Sequence, residues 1–266
     1  MVTEPQTASV VQRAAPTSEI LLATEGLGKD FGNLTAVQEV SLILRRGELM
    51  AIIGPNGAGK TTLFNMLSGQ LKPSRGRTLY RGEDITAAPT HLLAHAGIGR
   101  SFQITTVFRG LSVLENVRIA VQSLRHRHYD FTSRAHALDL TRERAEQVLA
   151  NIGLSAYRDA PAASLSHGDQ RRLEIGIVLA TDPQVLLLDE PTAGMSREEA
   201  SATMELLLRI ATDKTVLFVE HNMEFVMNVA QTIVVMQSGS VIAEGSPAQI
   251  RADPQVRRAY LGNLYE

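Results

Sequence analysis

Apolar and polar positions along the chain follow two rhythms. Runs that are apolar at most positions cover 20–23, 37–44, 49–53, 78–81, 185–188, 216–219 and 233–236. Between several of them lie stretches with the three-to-four-residue spacing of a helix face, at 61–68, 173–180, 197–209 and 223–230. Short strands alternating with helices predict an α/β fold with a mostly parallel sheet flanked by helices. The 185–188 segment, Val-Leu-Leu-Leu, has no polar side, which is the pattern of a central strand buried on both faces. Ser238 and Gly239 sit between two apolar runs and predict a hairpin turn, hence an antiparallel β portion near the end of the sheet.

The middle of the chain keeps only the helical rhythm. Helical patterns occupy 113–124 and 138–152, with polar punctuation at 126–130 and 155–160 and no convincing strand. This predicts a helical subdomain at 105–164 inserted into an α/β core formed by 19–104 and 165–266. Residues 1–18, rich in Ala, Pro, Thr and Ser, read as a loose tail; they have neither the basic start nor the apolar stretch of a secretory signal.

Composition narrows the chemistry by exclusion. The 266 residues carry 26 basic and 28 acidic side chains, a balance that points to no nucleic-acid partner and no polybasic membrane anchor. There is no cysteine, so disulfides, thiolate metal sites and a cysteine nucleophile are excluded. No apolar run approaches the roughly 20 residues that a membrane helix needs.

The candidate chemistry begins after the 49–53 strand. Gly54, Pro55, Asn56, Gly57, Ala58, Gly59, Lys60 and Thr61 fit G-x-x-x-x-G-K-[ST] between a strand and a helix. Glycines let backbone N–H groups wrap a phosphate, and the helix N-terminus adds positive partial charge. Lys60 would reach the β- and γ-phosphates, the Thr61 hydroxyl would take a Mg²⁺ position, and Thr62 is a further phosphate donor. The apolar 185–188 strand ends in Asp189, Glu190 and Pro191. Ligands of open parallel sheets sit beyond the carboxyl ends of strands. Asp189 is therefore placed to hold Mg²⁺ and Glu190 to orient and deprotonate a water. His221 closes a third strand, where it would sense the γ-phosphate. Gln103, after another short strand, offers a neutral amide for Mg²⁺ or the attacking water.

Leu165-Ser166-His167-Gly168-Asp169-Gln170 completes the series. Ser166 is placed to cap a helix, with Asp169 three residues on. The order of phosphate loop, Gln103, helical insert, this motif, acidic strand and His221 resembles the ATP-binding cassette of ABC transporters, from about residue 20 to the C-terminus. The resemblance implies a P-loop NTPase core and a head-to-tail dimer that sandwiches ATP between the phosphate loop of one chain and the Ser166–Gly168 signature of the other. It implies a Q-loop role for Gln103 and a switch role for His221. It also places Phe31 where an aromatic ring stacks on adenine, the alternative being a phenylalanine of the core. Two positions depart from the family pattern: the signature has His167 and Asp169 for a glycine and a glutamine, and Ser196 replaces an acidic or amide residue. A carboxylate facing phosphate would repel it, so Asp169 is expected to turn back and cap its own helix, leaving nucleotide contact to Ser166 and Gly168. His167 is expected to face the dimer interface rather than phosphate.

Within the family, Arg100-Ser101-Phe102-Gln103, the 107–117 segment, Arg171-Arg172-Leu173-Glu174-Ile175 and the 258–262 ending resemble the ATPases of branched-chain amino-acid importers. Residues 193–196 stand closer to the urea-type pattern, so urea or short-chain amides are the alternative substrates. A soluble, non-transport ABC ATPase is the distant alternative. The resemblance implies ATP and Mg²⁺ as ligands. Its implied partners are two membrane permeases, a second ATP-binding subunit (a heterodimer before a homodimer) and, through the complex, a periplasmic or extracellular solute-binding protein. It implies a place on the cytoplasmic face of the inner membrane.

Overall fold

The computed structural model describes residues 19–86, 88–101, 107–123 and 134–261. Gln103, the 1–18 segment and the 126–130 punctuation lie outside them. The larger sheet contains β4 (Leu49–Ile53), β7 (Ile98–Arg100), β8 (Val185–Asp189), β9 (Thr215–Val219), β10 (Thr232–Gln237) and β11 (Ser240–Gly245), in the order β11-β10-β4-β9-β8-β7. Every pair is parallel except β10 with β11, which the Ser238–Gly239 turn joins as an antiparallel hairpin.

The uniformly apolar strands are explained by what covers them. Met50, Ile52, Val185, Leu187, Leu217 and Val219 point into one core, shared with α1 (Lys60–Leu67) and a second, antiparallel sheet. The alternate residues Leu49, Ala51, Ile53, Leu186, Leu188, Val216 and Phe218 point into another. There they meet α5 (His167–Leu179), α6 (Arg197–Ile210) and α7 (Met223–Val229). With both faces buried, each such side chain contributes about 1.5–3 kcal/mol, and a polar side would have nothing to face. Of the remaining helices, α3 (Val113–Ser123) and α4 (Arg134–Asn151) pack on each other and on α5, and α2 (Thr90–Ala96) lies against β7.

The second sheet departs from the expected strands in instructive ways. The 20–23 run is only the start of β1 (Ile20–Phe31), which continues through Glu25, Gly26, Gly28, Lys29 and Asp30. Polar residues and glycines read as a loop, yet both edges of this strand find partners, β2 (Leu34–Val40) on one side and β5 (Arg75–Tyr80) on the other. Register shifts absorb the irregular residues. The 37–44 run breaks in two: β2 ends at Val40 and β3 (Ile43–Arg45) pairs with the early part of β1. Glu39 takes a positive φ of 46°, and Thr24 Oγ1 receives the Leu42 N–H at 2.9 Å, bending the chain across β1. β6 (Glu83–Asp84) completes this sheet, and α8 (Pro247–Ala252) follows β11. No helix among the described residues is long and apolar enough to cross a membrane.

Candidate functional site

The parallel register brings three strand ends to one edge. Leu49 pairs with Val216 and Ile52 with Val219, while Asp189 pairs with Val219 on the other side of β9. The residues that follow, Gly54 to Thr62, Glu190, and Glu220 with His221, therefore emerge together.

The phosphate loop is shaped by positions that exclude a side chain. Gly54 (φ 154°) would drive a Cβ to 2.2 Å from the Met236 carbonyl oxygen, and Gly59 (φ 97°) to 2.5 Å from that of Ala36. Gly59 is the N-cap of α1, so the first N–H groups of that helix open into the loop. Lys60 Nζ donates to the Gly54 and Pro55 carbonyls at 2.7 and 2.9 Å. Burial lowers its pKa, opposed by the nearby carboxylates of Glu190 and Asp189. A cleft of about 540 Å³ runs over the loop, lined by Asn56 through Thr62, Phe31, Leu34, Thr35, Ala36, Glu190, Ser238 and Gly239. Phe31 is 49% exposed, which excludes the core-phenylalanine alternative, and the Lys29 ammonium lies 5.3 Å from its ring centroid. The hairpin turn at 238–239 has a second task that its sequence did not reveal. Gly239 N–H donates to the Ala58 carbonyl at 3.0 Å, fastening the turn to the phosphate loop.

Asp189 is 1% exposed, and Arg100 reaches its carboxylate at 3.5 Å from NH2. Burial pushes the carboxyl group up from its ordinary pKa and the guanidinium down, so this long contact does not offset desolvation. Arg100 is otherwise held by Ser68 Oγ (2.5 Å), Gln70 Oε1 (2.9 Å) and the Phe64 ring (4.9 Å). Glu190 follows with a positive φ of 46°, uncommon for a residue with a side chain, and its N–H donates to the Val219 carbonyl at 2.9 Å. His221 Nδ1 stands 3.8 Å from Glu190 Oε1, so two of the candidate residues stand close together. Arg171 on α5 donates to the backbone carbonyls of Asp189 and Glu190. Arg100 and Arg171 appear in the sequence as parts of motifs only; nothing local marks them as braces of the acidic pair.

Among the described residues no group of three or more His, Asp or Glu side chains converges as a metal cage. One desolvated carboxylate beside a hydroxyl-bearing phosphate loop fits a hard cation that takes most ligands from phosphate and water.

The signature region is arranged differently from the expectation. Ser166 is the N-cap of α5, its hydroxyl accepting the Asp169 N–H at 3.1 Å. Asp169 does not turn back to cap; its carboxylate pairs with Arg172, one turn ahead. The return partner comes instead from α6. Glu199 Oε1 accepts the Gly168 N–H and the Ser166 hydroxyl, both at 3.1 Å, while Glu199 Oε2 accepts the Ser196 N–H at 3.0 Å in a capping box. These donors, first Ser196 N–H and then Gly168 N–H and Ser166 Oγ, hold the Glu199 carboxyl below its ordinary pKa. Ser196, the second departure from the family pattern, is thus the cap of α6. The His167 ring rests on Gly194, where an added Cβ would come within 3.3 Å of it.

Residues 37–193 match the model of the ABC transporter family, and residues 240–264 that of the branched-chain amino acid ATP-binding cassette transporters. The chain is 40% identical over 252 residues to LivG, the high-affinity branched-chain amino acid transport ATP-binding protein, of Salmonella typhimurium and of Escherichia coli. Those matches span 92% of this chain and 99% of each relative. Among solved structures, the ADP conformation of MJ1267, an ATP-binding cassette of an ABC transporter, superposes with a TM-score of 0.80 at 32% identity. It covers 91% of this chain and 99% of that one. The dimeric structure of MJ0796, a bacterial ABC transporter cassette, gives 0.73 at 25% identity over 85% and 99%.

Proposed function

The chain belongs to the ABC transporter family as an ATP-hydrolysing transporter subunit, and from that premise we propose that it powers uptake of branched-chain amino acids with the residues gathered at the β4, β8 and β9 ends. The observation that supports the site assignment is the shared edge: the parallel register ends β4, β8 and β9 together, so the phosphate loop, Asp189, Glu190 and His221 follow neighbouring strand ends, and the loop and Glu190 line one cleft. The C-terminal match and the likeness to LivG support the substrate.

ATP binds with its adenine on the exposed Phe31 ring and its phosphates over Gly54–Thr62. Lys60 exchanges the Gly54 and Pro55 carbonyls for β- and γ-phosphate oxygens. The Thr61 hydroxyl, the Asp189 carboxylate and the Gln103 amide would hold Mg²⁺. When bound, Mg²⁺ offsets charge that develops on the transferring phosphoryl group. Glu190 orients a water and takes its proton as the water oxygen bonds to the γ-phosphorus and the bond to the bridging oxygen breaks. His221 steadies the γ-phosphate with a hydrogen bond.

A second ATP-binding chain, a different one before an identical one, supplies its Ser166–Gly168 equivalent across the nucleotide. The dimeric structure of the MJ0796 cassette supports an assembly of two cassettes. Two permeases engage the helical segment at 105–164 and keep the chain on the cytoplasmic face of the membrane, and a solute-binding protein outside selects the substrate. Ligand screening of that binding protein with leucine, urea and short amides decides between the amino-acid reading and the amide reading that residues 193–196 favour. The test of the site is Glu190→Gln. We expect ATPase turnover to fall roughly 100-fold or more while ATP stays bound. Normal hydrolysis by this variant would refute the base assignment.

A further inference from the structure

A carboxylate that the mechanism does not use lies beside His221 and bonds the loop after Glu190. Glu220 is 0% exposed, and no Lys or Arg among the described residues pairs with it. An isolated buried carboxylate is costly unless donors surround it. Here four do. Oε1 accepts the Thr192 N–H at 2.9 Å and the Thr192 hydroxyl; Oε2 accepts the His221 and Asn222 N–H groups at 2.8 and 3.1 Å. Thr192 lies two residues beyond Glu190, and His221 is the residue assigned to the γ-phosphate. The Glu220 N–H itself donates to the Ile52 carbonyl of β4 at 3.3 Å, one residue before the phosphate-loop strand ends.

We propose that Glu220 is a positioning residue for hydrolysis: its two oxygens clamp the loop after Glu190 to the loop that carries His221 and so set the spacing of those side chains. The proposal rests on the roles assigned to Glu190 and His221. Each oxygen faces two donors, so the clamp needs an acceptor on both sides. A glutamine of the same size would turn an NH₂ toward one pair of donors and release one loop. His221 Nδ1 is 3.8 Å from both Glu220 Oε2 and Glu190 Oε1, while the hydrogen bonds to the Glu220 carboxylate come from Thr192 and from the backbone of His221 and Asn222. Glu220 therefore acts by placing those two loops.

The experiment compares Glu220→Gln, His221→Ala and their combination in the full chain, with ATP affinity from nucleotide titration and turnover from phosphate release. We expect Glu220→Gln to lower kcat about tenfold and to leave the ATP Kd within about twofold, the split that identifies lost placement in the transition state. Because Glu220 works partly through His221, Glu220→Gln added to His221→Ala should cost less than half of the loss, on a logarithmic scale, that it causes alone. Unchanged turnover in Glu220→Gln, or a loss that multiplies in full in the double variant, overturns the proposal. His221→Ala with full turnover refutes instead the role given to His221. Thr192→Val, which removes one donor and leaves the carboxylate, is the second probe: it should lower kcat about threefold with the same non-additivity, and an unaltered kcat counts against the clamp. If Glu220→Gln does not fold, this variant alone decides.

Discussion

Asp189 and Glu199 are carboxylates of one chain, each at an end of a regular element beside a motif proposed to meet phosphate, and the fold treats them in opposite ways. Asp189 closes a strand buried on both faces and keeps one long ionic contact, so burial raises its pKa. Glu199 stands at the first turn of α6 with three donors around it, which lower its pKa. The first is short of favourable charge. The second is saturated, and it saturates the very groups of Ser166 and Gly168 that a phosphate from another chain would use. The difference teaches that the phosphate-loop end leaves the desolvation of a carboxylate uncompensated, whereas the signature end satisfies its own donors within the chain. Linkage gives the sign for Glu199: its contribution to stability is present above the ordinary carboxylate pKa and lost as the pH falls through the lowered folded value. Solvent exposure keeps that contribution small.

The comparison breaks most decisively at Arg100. Arg100→Met leaves the buried Asp189 carboxylate without its ion-pair partner and should cost about 3 kcal/mol, read as a lower urea midpoint. A loss below about 1 kcal/mol would mean that Asp189 does not depend on that charge. Neutralising the other carboxylate sharpens the contrast. Glu199→Gln keeps an acceptor for the Ser196 N–H but loosens the hold on Ser166 and Gly168. In a Glu190→Gln background, sedimentation should show ATP-driven dimers at about fivefold lower ATP, the equivalent of about 1 kcal/mol released at a helix N-terminus. An equal or higher ATP requirement would show that Glu199 supports the contact rather than competes with it. The smallest effect is expected at Asp169, whose carboxylate is spent on Arg172. Asp169→Gln should change ATPase turnover by less than about twofold, and a collapse of turnover would give that side chain a nucleotide role after all.

Much of the site was legible because its chemistry is local. The glycine spacing before Lys60 and the apolar strand running into Asp189 and Glu190 each carry their meaning within a few residues, and both appear where expected. Phe31 was open between two readings, and its exposure removes the core one. What stayed hidden depends on neighbours remote in sequence. Glu220 reads as a polar residue at a strand end until Thr192, 28 residues earlier, is brought against it. Glu199 is one polar position of the 197–209 helical pattern in the sequence, and only the packing of α6 beside α5 sends one of its oxygens to Gly168, 31 residues away.

The sequence by itself determined the alternation of strands and helices, the phosphate loop, the acidic strand end and the family, because periodicity, turn chemistry and short motifs are properties of neighbouring residues. Tertiary structure decided the course of β1 through its polar residues, the split of the 37–44 run, and the partners of Arg100, Glu199 and Glu220. Those outcomes follow from which hydrogen-bonding edges and donors meet across the fold, and a buried carboxylate takes whichever donors the packing delivers.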